Sequence, residues 1–459
     1  MKDLDAVELV KILSAQERRP QQMASKGKPE IPLSADLPPL IMGTATFNSQ
    51  YNVDPFALPT TALVHRAFSA GVRAFDTSPY YGPAEELLGY ALSTPFVRDN
   101  YPRHKYRLIT KVGRLASASF DYSPTWIRRS LARSLSRLNT QYLDLVYCHD
   151  VEFVSAEEVL VAVKELRRIR DEEGTIRYVG ISGYPVGVLC DLAERILRET
   201  GEPLDAVMSY ANFTVQNTRL VSEALPRLLA AGVDVVPNAS PLGLGLLRRH
   251  GVPIGSMGDF HPAPVGLRDA VREASRWVEE QGERIEIISI RYALEAWLRE
   301  GSAVGSLGEP LASSSSSSSS SNGASSQTAA PTGRKLGISV MGVSKMEELD
   351  ETLRVWREII GGLEEIVDIE NSEKALTEHA DSVTVRPTAS QDSSLSILPV
   401  SDNVPSHERS HIRRQEILAL VTGIRKVLGQ EWVDFTWLSP EKGFTNQPPP
   451  PGYDKDIKY

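Results

Sequence analysis

The sequence predicts an α/β fold, a (β/α)8 (TIM) barrel with disordered insertions and an extra C-terminal helix. Three observations carry that prediction. Short apolar runs alternate with longer helix-patterned segments eight times between residues 40 and 360. No Gly-x-Gly-x-x-Gly follows the first run, which removes the usual sequence reason for an open dinucleotide-binding sheet. Polar, serine-rich stretches interrupt the alternation without a periodicity of their own.

Residues 1–20 mix charge with one amphipathic stripe, and 21–38 are polar and proline-rich, so 1–38 reads as an N-terminal extension and linker. The barrel is expected over 39–361. Leu40 to Thr44 is its first buried strand, and Pro59-Thr60 opens a helix through Ala70. Gly71 to Phe75 is the second strand, followed by a helix from Ala84 with Leu87, Leu88 and Ala91 at helical spacing. An irregular stretch, 93–106, leads to a third strand, Tyr106 to Val112. Ser123-Pro124 is a helix start, a cap followed by proline in the first turn. Asp144 to Cys148 is the fourth strand, and Ser155 with Glu158 forms a capping-box pattern before the next helix. Strands at 175–181, 205–210 and 233–238 continue the series, each followed by helix or loop. Two helical stretches near 266–281 and 284–299 precede the eighth strand, 338–342, and the eighth helix, 345–360.

Two segments break the pattern. Residues 301–335 hold nine consecutive serines and read as a disordered insertion, as does the polar stretch 368–410. Residues 411–459 give a helix to Leu428 and a tail with Trp432, Phe435, Trp437 and Phe444 before four prolines. Such a tail could close the barrel mouth or pack on an outer helix.

At 459 residues and net charge −9, the chain argues against nucleic acid or an anionic membrane as its main partner. No apolar run reaches the roughly 18 residues that span a bilayer, and the N-terminus lacks the apolar core of a secretory signal. Cys148 and Cys190 have neither disulfide nor metal-ligand spacing, the usage of a reduced protein, so a cytoplasmic location and no metal are expected. A monomer or weak homo-oligomer is the expectation for assembly.

The turn Phe75 to Glu85 carries the first chemistry. Asp76 falls at the end of the second strand and Tyr81 just beyond it, where α/β folds place their reacting groups. Lys111 and His149 fall at the ends of the third and fourth strands. A barrel sets these strands side by side, so the four can converge. A phenol normally titrates near 10, a neighbouring ammonium lowers that value, and Asp76 can pin Lys111 by a buried salt bridge. His149 can orient the reacting oxygen. Such an acid/base suits carbonyl reduction or alcohol oxidation.

With these motifs the sequence resembles the aldo-keto reductase superfamily. The match runs through Phe75-Asp76-Thr77, Tyr81-Gly82 and Glu85, then Lys111, His149, Ser240-Pro241-Leu242 with Gly245, and Gly342-Val343-Ser344-Lys345. Local detail at 40–48, 78–81, 147–150 and 341–349 resembles the branch of fungal D-arabinose 1-dehydrogenases and plant L-galactose dehydrogenases. The resemblance implies Tyr81 as general acid/base, Asp76 and Lys111 as its tuners, and Tyr81 and His149 against substrate. It implies NAD-dependent oxidation of a free aldose at C1 to the aldonolactone. It also implies cofactor contacts from Gly43, Thr44, Asp76, Ser182, Ser209, Ser240, Pro241, Leu242, Gly245, Gly342, Ser344, Lys345 and Glu348. Glu85 would touch cofactor or merely favour its helix N-terminus.

The sequence departs from the family where a Ser-Asn pair usually holds the nicotinamide carboxamide, reading Ser182-Gly183 instead, with Ser209 in place of a glutamine. A 2′-phosphate needs cationic donors. Glu347, Glu348, Asp350 and Glu351 surround the one nearby cation, Lys345, so NAD is favoured over NADP. The alternatives are an NADPH-dependent aldehyde or ketone reductase of broad specificity, and a regulatory barrel that binds cofactor with little turnover.

Overall fold

The computed structural model describes residues 26–253, 258–312, 334–377 and 406–449. The expectations for residues 1–25, for the serine run and for 378–405 lie outside them. Among the described residues, the strands are β1 Leu40–Gly43, β2 Ala74–Asp76, β3 Arg107–Val112, β4 Arg114–Ala116, β5 Ser119–Phe120, β6 Leu143–His149, β7 Ile176–Gly183, β8 Ala206–Tyr210, β9 Asn238–Ala239 and β10 Ser339–Gly342. All except β4 and β5 pair in parallel, in the order β1-β2-β3-β6-β7-β8-β9-β10, and β10 closes on β1. That closure sets Gly43 beside Gly342. The (β/α)8 barrel is therefore present, and β4–β5 is an added antiparallel hairpin above it.

The helices are α1 Thr60–Ser69, α2 Ala84–Ser93, α3 Pro95–Asn100, α4 Pro124–Arg137, α5 Ala156–Glu173, α6 Val186–Thr200, α7 Leu225–Ala230, α8 Val265–Glu280, α9 Ile285–Glu300, α10 Met346–Thr377 and α11 Ser406–Leu428. Their starts follow local chemistry. The Ser123 hydroxyl accepts from Trp126 N and proline occupies the first turn of α4. Ser155 and Glu158 cap α5 reciprocally, and Gly174 ends it in the left-handed region at φ 69°.

Inside the barrel, Ile41, Ile109, Leu145, Tyr147, Tyr178, Ile338 and Val340 form one buried layer. Leu33 and Leu37 plug its lower end, so residues 33–38 are part of the core and not linker. Residues 301–312, expected to belong to a disordered insertion, pack as well. Leu307 N donates to Ser34 O and Ala312 N to Gly71 O, while Ser306 pairs with Leu336. These backbone bonds close the barrel floor, a role that composition does not encode.

Three elements differ from the sequence reading for local reasons. The strand here is Asn238–Ala239, which overlaps the expected 233–238 run only at Asn238, with Val235 keeping one isolated bridge to Ala206, because Pro237 has no N–H for the ladder. The segment after β8 is a loop to residue 219, since Asn212, Thr214 and Asn217 bond to one another and to the backbone instead of forming helix. A π-helical turn, Leu220–Ala224, then leads into α7. Both readings of the aromatic tail hold at once, since Trp432 packs against α8 at Gly266 while Trp437 to Phe444 line the mouth. Ile417, Leu420, Val421, Ile424 and Leu428 of α11 pack on Leu267, Val271 and Val278 of α8 and on Ile285 and Ile288 of α9. The residues that follow cross the barrel mouth.

Candidate active site

The C-terminal ends of the barrel strands open into a cavity of about 650 Å3. Asp76, Tyr81, Lys111 and His149 all line it. Lys111 Nζ donates to Asp76 Oδ1 at 2.5 Å and to Thr77 O at 2.9 Å. The same nitrogen is 4.9 Å from the centre of the Tyr81 ring. The His149 ring meets Tyr81 edge-on, with centroids 5.7 Å apart. The four residues come from the ends of three adjacent strands and the turn after β2, so strand order alone brings them together.

Ser78 fixes the imidazole. Its Oγ accepts from Tyr80 N and lies 3.1 Å from His149 Nδ1, so the hydroxyl proton is free to point at Nδ1. That leaves the ring proton on Nε2, 3.6 Å from Asp150 Oδ2. Burial pushes His149 down to about 3, with Lys111 and Arg114 adding to the effect and Asp150 opposing it. The imidazole is therefore neutral and can donate from Nε2 without carrying charge.

The phenol behaves differently from the sequence argument. Burial raises Tyr81 well above its ordinary value, Asp76 and Asp150 raise it further, and Arg114 only partly offsets this. Lys111 was expected to favour the phenolate; its ammonium lies closer to Asp76 than to the Tyr81 ring, so only part of its charge acts on the phenol. In the protein alone Tyr81 is a neutral proton donor. Burial likewise raises Asp76 against the opposing pull of Lys111, and Asp76 Oδ2 is buried without a hydrogen-bond partner.

Several groups at the site escaped sequence reading. Arg114, on the β4 strand of the hairpin, bonds to Asp150, donates to Tyr80 OH at 3.1 Å, and stacks 3.9 Å over the Tyr80 ring. Burial alone would raise Asp150, but the Arg114 guanidinium bonded to it holds it below the usual carboxylate range. Asp150 takes φ 55°, which turns its side chain back toward His149. The pair His149-Asp150 was visible in sequence, yet nothing there marked Arg114. The tail supplies the remaining wall. Trp437 stacks on Tyr184 at 4.5 Å, and Leu438 to Phe444 line the cavity. Asn446 bonds to both backbone groups of Phe120 at 2.8 Å, pinning the tail to the hairpin.

Of the expected cofactor residues, Gly43, Asp76, Ser182, Ser240, Pro241, Leu242, Gly245 and Gly342 line the cavity. Thr44, Ser209, Ser344, Lys345 and Glu348 do not. Thr44 Oγ1 bonds to Asp76 O, and Ser209 Oγ accepts from Asn212. Glu348 Oε2 accepts from Ser344 N and Lys345 N, so it caps its own helix. Glu85 is buried and bonds to Thr110 Oγ1 at 2.8 Å, away from the cavity wall. Burial pushes the Cys148 thiol up, consistent with a packing role.

The cavity suits a dinucleotide on two counts. A Cβ on Gly342 would stand 3.1 Å from Thr46 Cγ2, and one on Gly43 3.1 Å from Val340 Cγ1, so the backbone is bare where these strands meet. The loop Ser240 to Gly245 has positive φ at Ser240, Gly243, Leu244 and Gly245 and folds back on itself, Gly243 N donating to Ser240 O and Gly245 N to Leu242 O, while Arg248 beside it puts a cation on the cavity wall.

A closed parallel barrel with this set at its mouth belongs to the aldo/keto reductase family, whose model matches residues 39–362. The protein is thus an oxidoreductase acting on CH–OH groups, of a family that uses nicotinamide cofactors. It is 41% identical over 272 residues to D-arabinose 1-dehydrogenase of Saccharomyces cerevisiae, covering 59% of this chain and 79% of that one. It is 35% identical over 236 residues to L-galactose dehydrogenase of Arabidopsis thaliana, covering 51% and 69%. D-threo-aldose 1-dehydrogenase of a Pseudomonas species is 26% identical over 270 residues, covering 53% and 78%.

Proposed function

We propose that this protein oxidises a free aldose, D-arabinose or a related sugar, at C1 to the aldonolactone with NAD as acceptor. The observation that carries the proposal is the grouping of Tyr81, Lys111, Asp76 and His149 on one cavity wall, in a chain similar to three dehydrogenases named for aldoses. When bound, the nicotinamide supplies the acceptor for the C1 hydride. The protein does the rest. His149 donates from Nε2 to the C1 oxygen and orients it. Tyr81 takes the hydroxyl proton, so the phenol must first release its own proton to solvent and act as the phenolate. Lys111, held by Asp76 and Thr77, limits the cost of that charge. The tail from Trp437 to Phe444 excludes water above C1.

Gly43, Ser182, Gly342 and the Ser240–Gly245 loop would hold the cofactor. The preference for NAD rests on the start of α10. Asp350 pairs with Arg66 and Glu351 with Arg354, which removes much of their repulsion toward a 2′-phosphate. Glu347 and Glu348 are the acids that remain at the helix start, and Lys345 is the one basic residue between β10 and α10.

The test is an initial-rate assay following reduced nicotinamide, with D-arabinose, L-galactose and L-fucose, each with NAD and NADP. Turnover with NAD and one of these sugars is expected. In Tyr81→Phe the rate should fall by about 10²–10⁴-fold, while cofactor binding by fluorescence is retained. Aldehyde reduction with NADPH alone, and silence with every sugar, would sink the reading.

A further inference from the structure

A second cavity, of about 290 Å3, lies between α9, α11 and the loop after β8, outside the catalytic mouth. Three arginines line it, Arg299 from α9 and Arg414 and Arg425 from α11. Their partners are few. Arg299 makes no hydrogen bond or ion pair among the described residues, and its Nε is buried without an acceptor. Arg425 Nε donates to Val215 O at 2.9 Å, but its Nη2 is buried and unpartnered. Among the described residues Arg414 reaches only Glu295, at 3.9 Å, and Glu295 also faces Arg291 at 3.5 Å. Glu300 is the other acid on the wall, and it is exposed.

Burial lowers Arg299 from its ordinary value, and the like charge of Arg414 lowers it further. Two buried guanidinium N–H groups without acceptors each forgo a hydrogen bond, a cost that native structures rarely leave standing. The cavity wall adds the hydroxyl of Ser222, in the π-helical turn, while the Thr218 hydroxyl is already given to Asp434 Oδ1 at 3.1 Å. Such turns recur at functional sites. Guanidinium forks match phosphate and carboxylate geometry.

We propose that this cavity binds a small oxyanion, a phosphate or a carboxylate, between Arg299, Arg414 and Arg425. The anion accepts from the unpartnered N–H groups, screens Arg299 from Arg414, and so fastens α11 to α9. The same wall is tied to the catalytic mouth. Thr218 N donates to Asp434 Oδ1 at 2.6 Å, three residues before Trp437.

The test is thermal unfolding of the full chain with inorganic phosphate or with citrate, against chloride at matched ionic strength. The wild type is compared with Arg299→Met, with Arg414→Gln, and with Arg248→Met, which removes a cation from the catalytic cavity. The expected result is a Tm that rises with oxyanion in the wild type and in Arg248→Met. In the other two variants the affinity read from that rise should fall about tenfold or more. A response to phosphate alone identifies a phosphate ligand, and one to citrate alone a carboxylate. Arg414 is partly exposed, so its variant gives the answer if Arg299→Met does not fold. Three results overturn the proposal: no oxyanion-specific rise in the wild type, an equal rise in all variants, or a rise lost only in Arg248→Met.

Discussion

Tyr81 and His149 respond to the same burial in opposite ways, and that fixes the pH dependence. The neutral phenol is a base only after losing its proton; its raised pKa makes that loss harder at neutral pH, and rising pH favours it. Sugar oxidation should therefore accelerate from neutral to alkaline pH. His149, pushed down to about 3, should add no inflection between pH 5 and 8. A profile of kcat/KM that falls above neutrality would contradict both assignments. Glu152 offers a second measurement. Burial raises its pKa and Asp150 adds to the rise. Its Oε1 accepts from Tyr184 N at 3.1 Å and from Ser439 Oγ at 3.0 Å, while Oε2 is buried without a partner. A carboxyl whose folded pKa is raised stabilises the fold while protonated, and that contribution is lost as pH rises past its unfolded value toward the folded one. Glu152→Gln keeps the Oε1 acceptor and cannot ionise. It should gain about 1–3 kcal/mol over wild type in urea unfolding at alkaline pH, and the gain should shrink below pH 4.

At the scale of elements, close approach decides more than propensity. Gly89 lies in the middle of α2, where glycine weakens a helix, yet a Cβ there would meet Arg137 O of α4 at 1.8 Å. Gly89→Ala should thus destabilise by about 1–3 kcal/mol or more from overpacking, although alanine is the better helix former. A denaturant midpoint above wild type would show that α2 and α4 can separate without cost. Arg103 and Asp144 illustrate the same point for charge. Asp144 Oδ2 accepts from Arg103 Nη2 at 2.7 Å and from Leu108 N at 2.9 Å, tying β6 to β3 and to the turn before it. Asp144→Ala leaves Arg103 buried and unpaired. It should cost about 3–5 kcal/mol, measured as the loss in unfolding free energy.

Across the whole molecule, the C-terminal extension is the feature that separates this chain from a bare barrel. α11 is anchored by apolar burial worth about 1.5–3 kcal/mol per large side chain, and Gly423 lets it approach Trp277 closely. The tail then reaches the mouth through Gln216, whose Nε2 donates to Trp432 O at 2.7 Å, and ends against the hairpin at Asn446. Removing residues 430–459 should raise KM for the sugar by more than it weakens cofactor binding, since Trp437 to Phe444 cover one side of the cavity. Equal loss of both, measured by steady-state kinetics and fluorescence titration, would show the tail to be part of the cofactor site instead.

The sequence by itself determined the barrel, its strand order and the four residues at its mouth. Each depends on something local: short continuous apolar runs, helix caps such as Ser123 and Ser155, and the position of a residue at the end of a strand. Parallel βαβ succession then makes neighbours in sequence neighbours in space. The tertiary structure alone decided the direction of the Tyr81 shift, because that depends on burial and on how near Asp76 and Asp150 stand to the phenol. It alone recruited Arg114, folded residues 301–312 into the barrel floor and laid Trp437 over the mouth. These are contacts between segments far apart in the chain, set by packing and by the exclusion of water, and no local pattern of residues carries them.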